Sequence, residues 1–174
     1  MALLEGFETL SGSPLLPTDL SWTGGGTLGL TESGSGSHVT QGVQSYRVNG
    51  TSLETLWQIS STGNTLTGAT EVSVDLTIVS AGAATNAALL VQRPASKQSA
   101  SDSTLDAETG TFTLTADISG FSGVDGLDIY LAIETDTANA VDFFWDNLRD
   151  DTGGGASVGS GLITGLKLNR MSLV

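Results

Sequence analysis

Several short runs of the chain alternate apolar and polar residues with a period of two. The clearest run is 71–79, in which every second residue is apolar: Val72, Val74, Leu76, Ile78. This period is typical of β-strands with one buried face and one face in water. The same pattern predicts strands at 42–48, 87–92, 110–117 and 126–134.

Weaker alternation predicts four further strands, at 28–31, 55–60, 140–149 and 166–173. Connectors rich in Gly and Ser, such as 24–26 and 33–37, separate these runs, and no amphipathic helix of useful length is present. About nine strands at this spacing favour two packed antiparallel sheets. The predicted fold class is therefore all-β, an antiparallel β-sandwich of jelly-roll kind.

Two stretches lack this pattern. Residues 94–105 begin with a proline and are mostly polar, which predicts a long surface loop. Residues 150–161 are rich in Gly and Ser and lead into an apolar segment at 162–174. We therefore expect one jelly-roll domain at 1–149, followed at 150–174 by a connector and either a last strand or an assembly segment.

Charge and composition exclude several classes of function. The chain has 6 Lys and Arg against 19 Asp and Glu, a formal charge of −13, which disfavours binding to nucleic acid. The absence of cysteine excludes disulfides and thiolate sites. No run approaches the roughly 20 apolar residues of a membrane span, so we expect no membrane insertion. The first residues also lack the pattern of a secretory signal, which favours use without export or a trimmed signal.

Candidate catalytic groups are few. The one histidine, His38, lies in a Gly/Ser-rich stretch without a nucleophile motif, so a surface role is expected. Pairs of carboxylates such as Asp75 and Glu134 fall on the polar phase of their strands and are interpreted as solvent-side residues. The sequence therefore predicts a protein that is not an enzyme.

The order of several segments resembles a known family. Residues 4–8 (LEGFE) look like a short first strand containing Phe-Glu, and 42–48 (GVQSYRV) like a strand that follows a Gly turn. Residues 111–120, 127–133 and 143–148 are similar to a closing half that ends in an Asp-Asn strand. Together, over about 3–149, they resemble carbohydrate-binding-module-like jelly rolls of the galactose-binding-like type.

The resemblance implies two kinds of site. A structural calcium ion that bridges the first and last strands implies Glu8 and Asp146 as ligands; the alternative is that Glu8 faces water and Asp146 caps a turn. Sugar binding implies exposed aromatic rings, for which we expect Trp22, Tyr46 and Trp145, with packing in the core as the alternative role. Five other aromatic residues fall at or near positions expected to face the core: Phe7, Trp57, Phe112, Tyr130 and Phe144.

Two functions follow from these observations. The first is a non-enzymatic structural protein of a bacteriophage particle, a capsid decoration or tail-associated protein assembled in the host cytoplasm. Its partners are other virion proteins and copies of itself, contacted through 162–174 or a sheet edge. The second is a glycan-binding module of a secreted carbohydrate-active protein, which is extracellular and binds a cell-surface or polymeric glycan. The sequence analysis favours the first.

Overall fold

The computed structural model describes residues 1–26, 29–51, 56–82, 84–105, 108–135 and 140–152. Within these ranges the chain forms antiparallel strands and one short 3-10 turn at Pro94–Ser96, and no helix there is long and apolar enough to span a bilayer. The strands are β1 (Ala2–Glu5), β2 (Leu10–Ser11), β3 (Leu16–Pro17), β4 (Trp22–Gly24), β5 (Leu30–Ser35), β6 (Ser45–Thr51), β7 (Leu56–Asn64), β8 (Glu71–Ser80), β9 (Ala84–Arg93), β10 (Gln98–Leu105), β11 (Gly110–Asp117), β12 (Leu127–Thr135) and β13 (Ala140–Asp150).

Two sheets form the sandwich. The first has six strands in the order β11-β8-β13-β6-β5, and β1 pairs with the last residues of β13. The second has five strands in the order β10-β9-β12-β7-β4. Strands β2 and β3 form a separate small hairpin, which is held by a hydrogen bond of 2.8 Å from the Tyr46 hydroxyl to the Leu15 carbonyl.

The core lies between the inner faces of the two sheets. Alternate residues of the central strands are buried there, as the period of two requires. In β12 these are Leu127, Ile129, Leu131 and Ile133, and in β8 they are the four apolar residues that define the alternation. Burial of each such side chain stabilises the folded state by roughly 1.5–3 kcal/mol relative to leaving it exposed. The core therefore fixes which face of each strand points to solvent.

Most of the predicted strands are confirmed. β8, β11, β12 and β13 match their predicted bounds to within one residue at either end, and β9 begins earlier than predicted. The predicted loop at 94–105 is wrong, because only 94–97 form a turn and 98–105 are the edge strand β10. Its register against β9 runs without a break from Gln98 to Leu105, so backbone hydrogen bonds rather than apolar alternation define it.

Other expectations fall at the ends of the chain. Phe7 and Glu8 lie after β1 and not within it, and Phe7 has a left-handed backbone with φ of 57°. The predicted strand at 166–173, and the connector after Thr152, lie outside the described residues.

Candidate functional site

The outward sides of the two sheets differ in chemistry, and each follows from strand register. We call the outward side of the five-stranded sheet the open face. Its side chains include Thr23, Gln58, Ser60, Ala88, Leu90, Gln92, Ser99, Ser101, Ser103, Asp128, Tyr130, Ala132 and Glu134. We call the outward side of the six-stranded sheet the closed face. Its side chains include Arg47, Ser73, Asp75, Thr77, Thr111, Thr113, Thr115, Asp142, Phe144 and Asp146.

Tyr130 lies in the middle of the open face. Its strand, β12, is central in the sheet, with Leu90 opposite on β9 and Ser60 opposite on β7. The next strands outward place Ser101 beside Leu90 and Thr23 beside Ser60. The tyrosine ring is half-buried and is the one aromatic side chain on this face within the described residues.

The hydroxyl of Tyr130 is held near a carboxylate. It lies 3.5 Å from Asp128 Oδ2, while Asp128 Oδ1 accepts a hydrogen bond of 3.1 Å from the Gly63 amide. Burial, and then the charge of Asp128, raise the pKa of Tyr130 above its ordinary value. The ring therefore stays neutral at physiological pH, with its hydroxyl directed along the strand.

Polar groups around Tyr130 remain available for a ligand. Within the described part of the chain, the side chains of Gln58, Gln92, Ser99 and Ser101 make no hydrogen bond. Small residues lie between them, because Ala88 and Ala132 pair with each other two residues from Tyr130. An aromatic ring flanked by amides and hydroxyls suits a polyhydroxylated ligand, whose C–H face stacks on the ring while its hydroxyls accept and donate hydrogen bonds.

On the closed face, by contrast, polar groups bind one another. Asp75 accepts hydrogen bonds from Thr113 Oγ1 (2.9 Å), Arg149 Nη1 (3.0 Å), Thr40 Oγ1 (2.8 Å) and Asn147 Nδ2 (2.9 Å). The hydroxyls of neighbouring strands also pair, at 2.9 Å for Ser73–Thr115 and 3.0 Å for Thr77–Thr111. Few of these groups are left for a ligand.

The aromatic residue of the closed face is covered as well. Phe144 is only 4% exposed, although it points outward. The His38 ring lies 4.6 Å from its centroid, and the Arg47 guanidinium lies 5.3 Å from it while pairing with both oxygens of Asp142. Phe144 therefore offers no ring face for stacking.

The three rings expected as sugar platforms are buried. Trp22 is 7% exposed, and Tyr46 and Trp145 are both 0% exposed, so the prediction that they face solvent is wrong. All three rings belong to the buried core. Trp145, for example, is buried together with Phe143 and Leu148 of the same strand. The same phase argument places Tyr130, which we expected to face the core, on the surface.

Two of the buried rings have a carboxylate partner. The Trp22 indole donates to Glu5 Oε2 at 3.0 Å, and the Trp57 indole donates to Glu32 Oε1 at 3.0 Å. Both glutamates are buried. Burial raises the pKa of Glu5, although its three hydrogen bonds act to lower it. These contacts join distant parts of the chain, and no local pattern in the sequence predicts them.

Glu8 and Asp146 hold the same loop, each by backbone amides. Glu8 Oε1 accepts from the Val43 amide at 2.8 Å. Asp146 Oδ2 accepts from the amides of Thr40 at 2.6 Å and Gln41 at 2.8 Å. These donors fit a carboxylate that fixes a loop. The described residues contain no cluster of three or more acidic or histidine side chains suited to a metal.

One atom beside this loop does fit a cation. Gln41 Oε1 is buried without a hydrogen-bond donor, and it lies next to Gly6, two residues before Glu8. A buried acceptor without a donor is the kind of atom that a hard cation satisfies. Calcium at Glu8 and Asp146 stays a prediction.

The carboxylates considered for catalysis are far from forming a pair. Asp75 lies on the closed face and Glu134 is exposed on β12 of the other sheet, so the whole core separates them. His38 is exposed, and its ring packs on Phe144.

No protein-family model and no curated protein matches the sequence. Solved structures do resemble it. A structure described as a carbohydrate-binding module of the β-sandwich superfamily aligns with a TM-score of 0.58 at 12% identity, over 85% of this chain and 61% of that chain.

Two further structures contain sugar. TmCBM61 in complex with β-1,4-galactotriose aligns with a TM-score of 0.53 at 18% identity, over 83% of this chain and 92% of that one. The family 11 module of Clostridium thermocellum in complex with a mixed-linked tetrasaccharide aligns with a TM-score of 0.55 at 13% identity, over 86% and 94%. At these identities the likeness shows the fold alone, an antiparallel β-sandwich of jelly-roll kind.

Proposed function

We propose that this chain is a glycan-binding module and that the open face is its binding surface. The observation that carries the proposal is Tyr130, a half-buried neutral ring at the centre of a sheet face on which the side chains of four polar residues, Gln58, Gln92, Ser99 and Ser101, form no hydrogen bond within the described chain. This combination of a ring and convergent polar groups is the usual composition of a sugar site.

The predicted partners change accordingly. Of the two functions that the sequence predicted, we favour the glycan-binding module of a carbohydrate-active extracellular protein, because the three solved structures reported above are described as carbohydrate-binding modules. The ligand that we expect on the open face is a polysaccharide segment, since the face spans the five strands of one sheet.

Retention in native gels that contain soluble galactan, mixed-linked β-glucan or xylan tests the proposal. We expect one of these polymers to retard the protein and Tyr130→Ala to restore free migration. Phe144→Ala is the matched control, because it removes the outward aromatic residue of the closed face and should leave retention unchanged. Equal retention of folded Tyr130→Ala protein, or retention by none of a broad panel of neutral polysaccharides, would contradict the proposal.

The particle-component hypothesis stays a prediction. Its assembly segment at 162–174 lies outside the described residues. One described sheet edge is already bridged, because Asp102 of β10 accepts a hydrogen bond of 2.9 Å from the Thr115 amide of β11. This contact reduces the capacity of that edge to add a strand from another copy. Co-sedimentation with particles, lost on deletion of 162–174, would restore the hypothesis.

We also keep calcium as a proposal, at the loop that Glu8 and Asp146 hold. Its support is the buried, donor-free oxygen of Gln41, which lies beside Gly6, as the Glu8 side chain also does. An ion there would link the start of the chain to the loop before β6 and stabilise the folded state.

A further inference from the structure

A recess of about 240 Å³ opens where β9 turns into β10, at one end of the open face. Its lining residues are Gln92, Arg93, Pro94, Lys97, Gln98 and Ser99. The turn is rigidly built, because the Lys97 amide closes it onto the Pro94 carbonyl and Lys97 adopts a left-handed backbone with φ of 54°. The Gln98 side chain is also fixed, through the Ser122 amide at 2.9 Å and the Gly120 carbonyl at 2.8 Å.

Two basic residues line the recess of this acidic protein. Arg93 and Lys97 are two of the 6 Lys and Arg in a chain with a net charge of −13. Arg93 pairs with Asp125 at 3.0 Å, but Asp125 is 72% exposed and the Arg93 Nε–H is buried without an acceptor. Within the described residues, Lys97 is the one Lys or Arg that forms no ion pair.

The recess is continuous with the open face. Gln92 lies two residues beyond Leu90 on β9, a distance of about 7 Å along the strand, and Ser99 is its register partner on β10. One carbohydrate chain stacked on Tyr130 can therefore reach the recess. Asp128, opposite Gln92 on β12, separates the two and disfavours a ligand that is anionic along its whole length.

We propose that the recess binds an acidic substituent, a carboxylate or sulfate ester, on a sugar residue of an otherwise neutral glycan. The Lys97 ammonium supplies the attraction, the guanidinium of Arg93 adds to the field, and Gln92 and Ser99 bind the hydroxyls of the same sugar. This inference rests on the proposed function, because the other sugar residues of the glycan would bind the open face. Binding of an acidic sugar to the recess can nevertheless be tested alone.

The experiment is a titration of ¹⁵N-labelled protein, followed by NMR, with sodium D-glucuronate, D-glucose or sodium sulfate at constant ionic strength. We expect glucuronate to shift the amides of Lys97, Gln98 and Ser99 at millimolar concentration, at least threefold more than glucose or sulfate does. Lys97→Gln should remove the shifts. It replaces an exposed side chain, so its fold is expected to be intact, and an unchanged spectrum elsewhere verifies this.

Three results would overturn the inference. They are equal shifts with glucose and glucuronate, equal shifts with inorganic sulfate, which would indicate only a bare anion site, and shifts that persist in Lys97→Gln. Tyr130→Ala separates this inference from the proposed function, because it should abolish polysaccharide retention and leave the glucuronate shifts at residues 97–99 unchanged.

Discussion

The open and closed faces are built from the same kinds of residue and differ in whether those residues already have partners. On the closed face, Asp75 has four hydrogen-bond partners and Phe144 is covered by His38 and Arg47. On the open face, Tyr130 is half-exposed and Gln92 has no partner in the described chain. Polar groups that satisfy each other stabilise the fold, whereas unpaired ones on a rigid sheet can bind a ligand.

The largest expected effect tests the closed face. Asp75→Ala leaves Arg149, whose side chain is only 13% exposed, without its acid partner and removes three further hydrogen bonds. We expect a loss of about 3 kcal/mol in the free energy of unfolding, measured by urea denaturation. The matched control is Glu134→Ala at an exposed carboxylate of β12, which should change stability by less than about 0.5 kcal/mol. Equal effects of the two substitutions would mean that the faces do not differ in this way.

The second effect concerns binding. With the polysaccharide that retards the protein, Tyr130→Ala should weaken binding at least tenfold, equivalent to about 1.4 kcal/mol, because the stacking surface is lost. Phe144→Ala should leave binding within twofold and instead lower the melting temperature. Calorimetric titration and thermal unfolding of the two variants separate these effects. If Phe144→Ala weakened binding and Tyr130→Ala did not, the ligand would bind the closed face and the assignment to the open face would be wrong.

The calcium proposal predicts a third effect, on stability alone. Free calcium in tenfold excess over its Kd should stabilise the protein by about 1.4 kcal/mol, and a chelator should remove this gain. Glu8→Gln should abolish the response, with Glu134→Gln as the control carboxylate. A melting temperature that neither calcium nor chelator changes would eliminate the site and leave Glu8 and Asp146 as residues that fix the loop.

The smallest expected effect is on pH dependence. Burial raises the pKa of Glu5 above its ordinary value of 4.5, so the folded state favours its protonated form. Its contribution to stability is therefore full below pH 4.5 and is lost as pH rises through the raised value. Thermal unfolding should show slightly higher stability at pH 5 than at pH 7, by about 1 kcal/mol or less, and Glu5→Gln should flatten this difference. Ligand binding should not follow it, since Tyr130 stays neutral over this range.

Alternation in the sequence predicts the strands whose two faces differ in polarity. It fails for β10, where Ala100 is the one apolar residue packed on the core among the described side chains at 98–104, and Ser99, Ser101 and Ser103 face out. An edge strand of this kind is held by backbone hydrogen bonds, which leave no hydrophobic period to detect.

The period of two also predicts part of the candidate site. Tyr130 shares the phase of Asp128 and Glu134, opposite to Leu127 and Ile129, so strict use of the period places it outside. Trp145 was harder, because it ends a run of three aromatic residues that has no polar residue to mark the phase. The partners that cover Phe144 were beyond prediction, since His38 comes from a loop distant in sequence.

The most direct test of the central claim maps the ligand onto one face. A ¹⁵N NMR titration uses an oligosaccharide derived from the polysaccharide that retards the protein. It should shift the amide signals of residues 88–92 and 128–132, on the central strands of the open face. The amides of 73–77 and 111–115, on the closed face, should stay unchanged. Shifts confined to the closed face, or none at saturating oligosaccharide, would contradict the assignment of the open face as the binding surface.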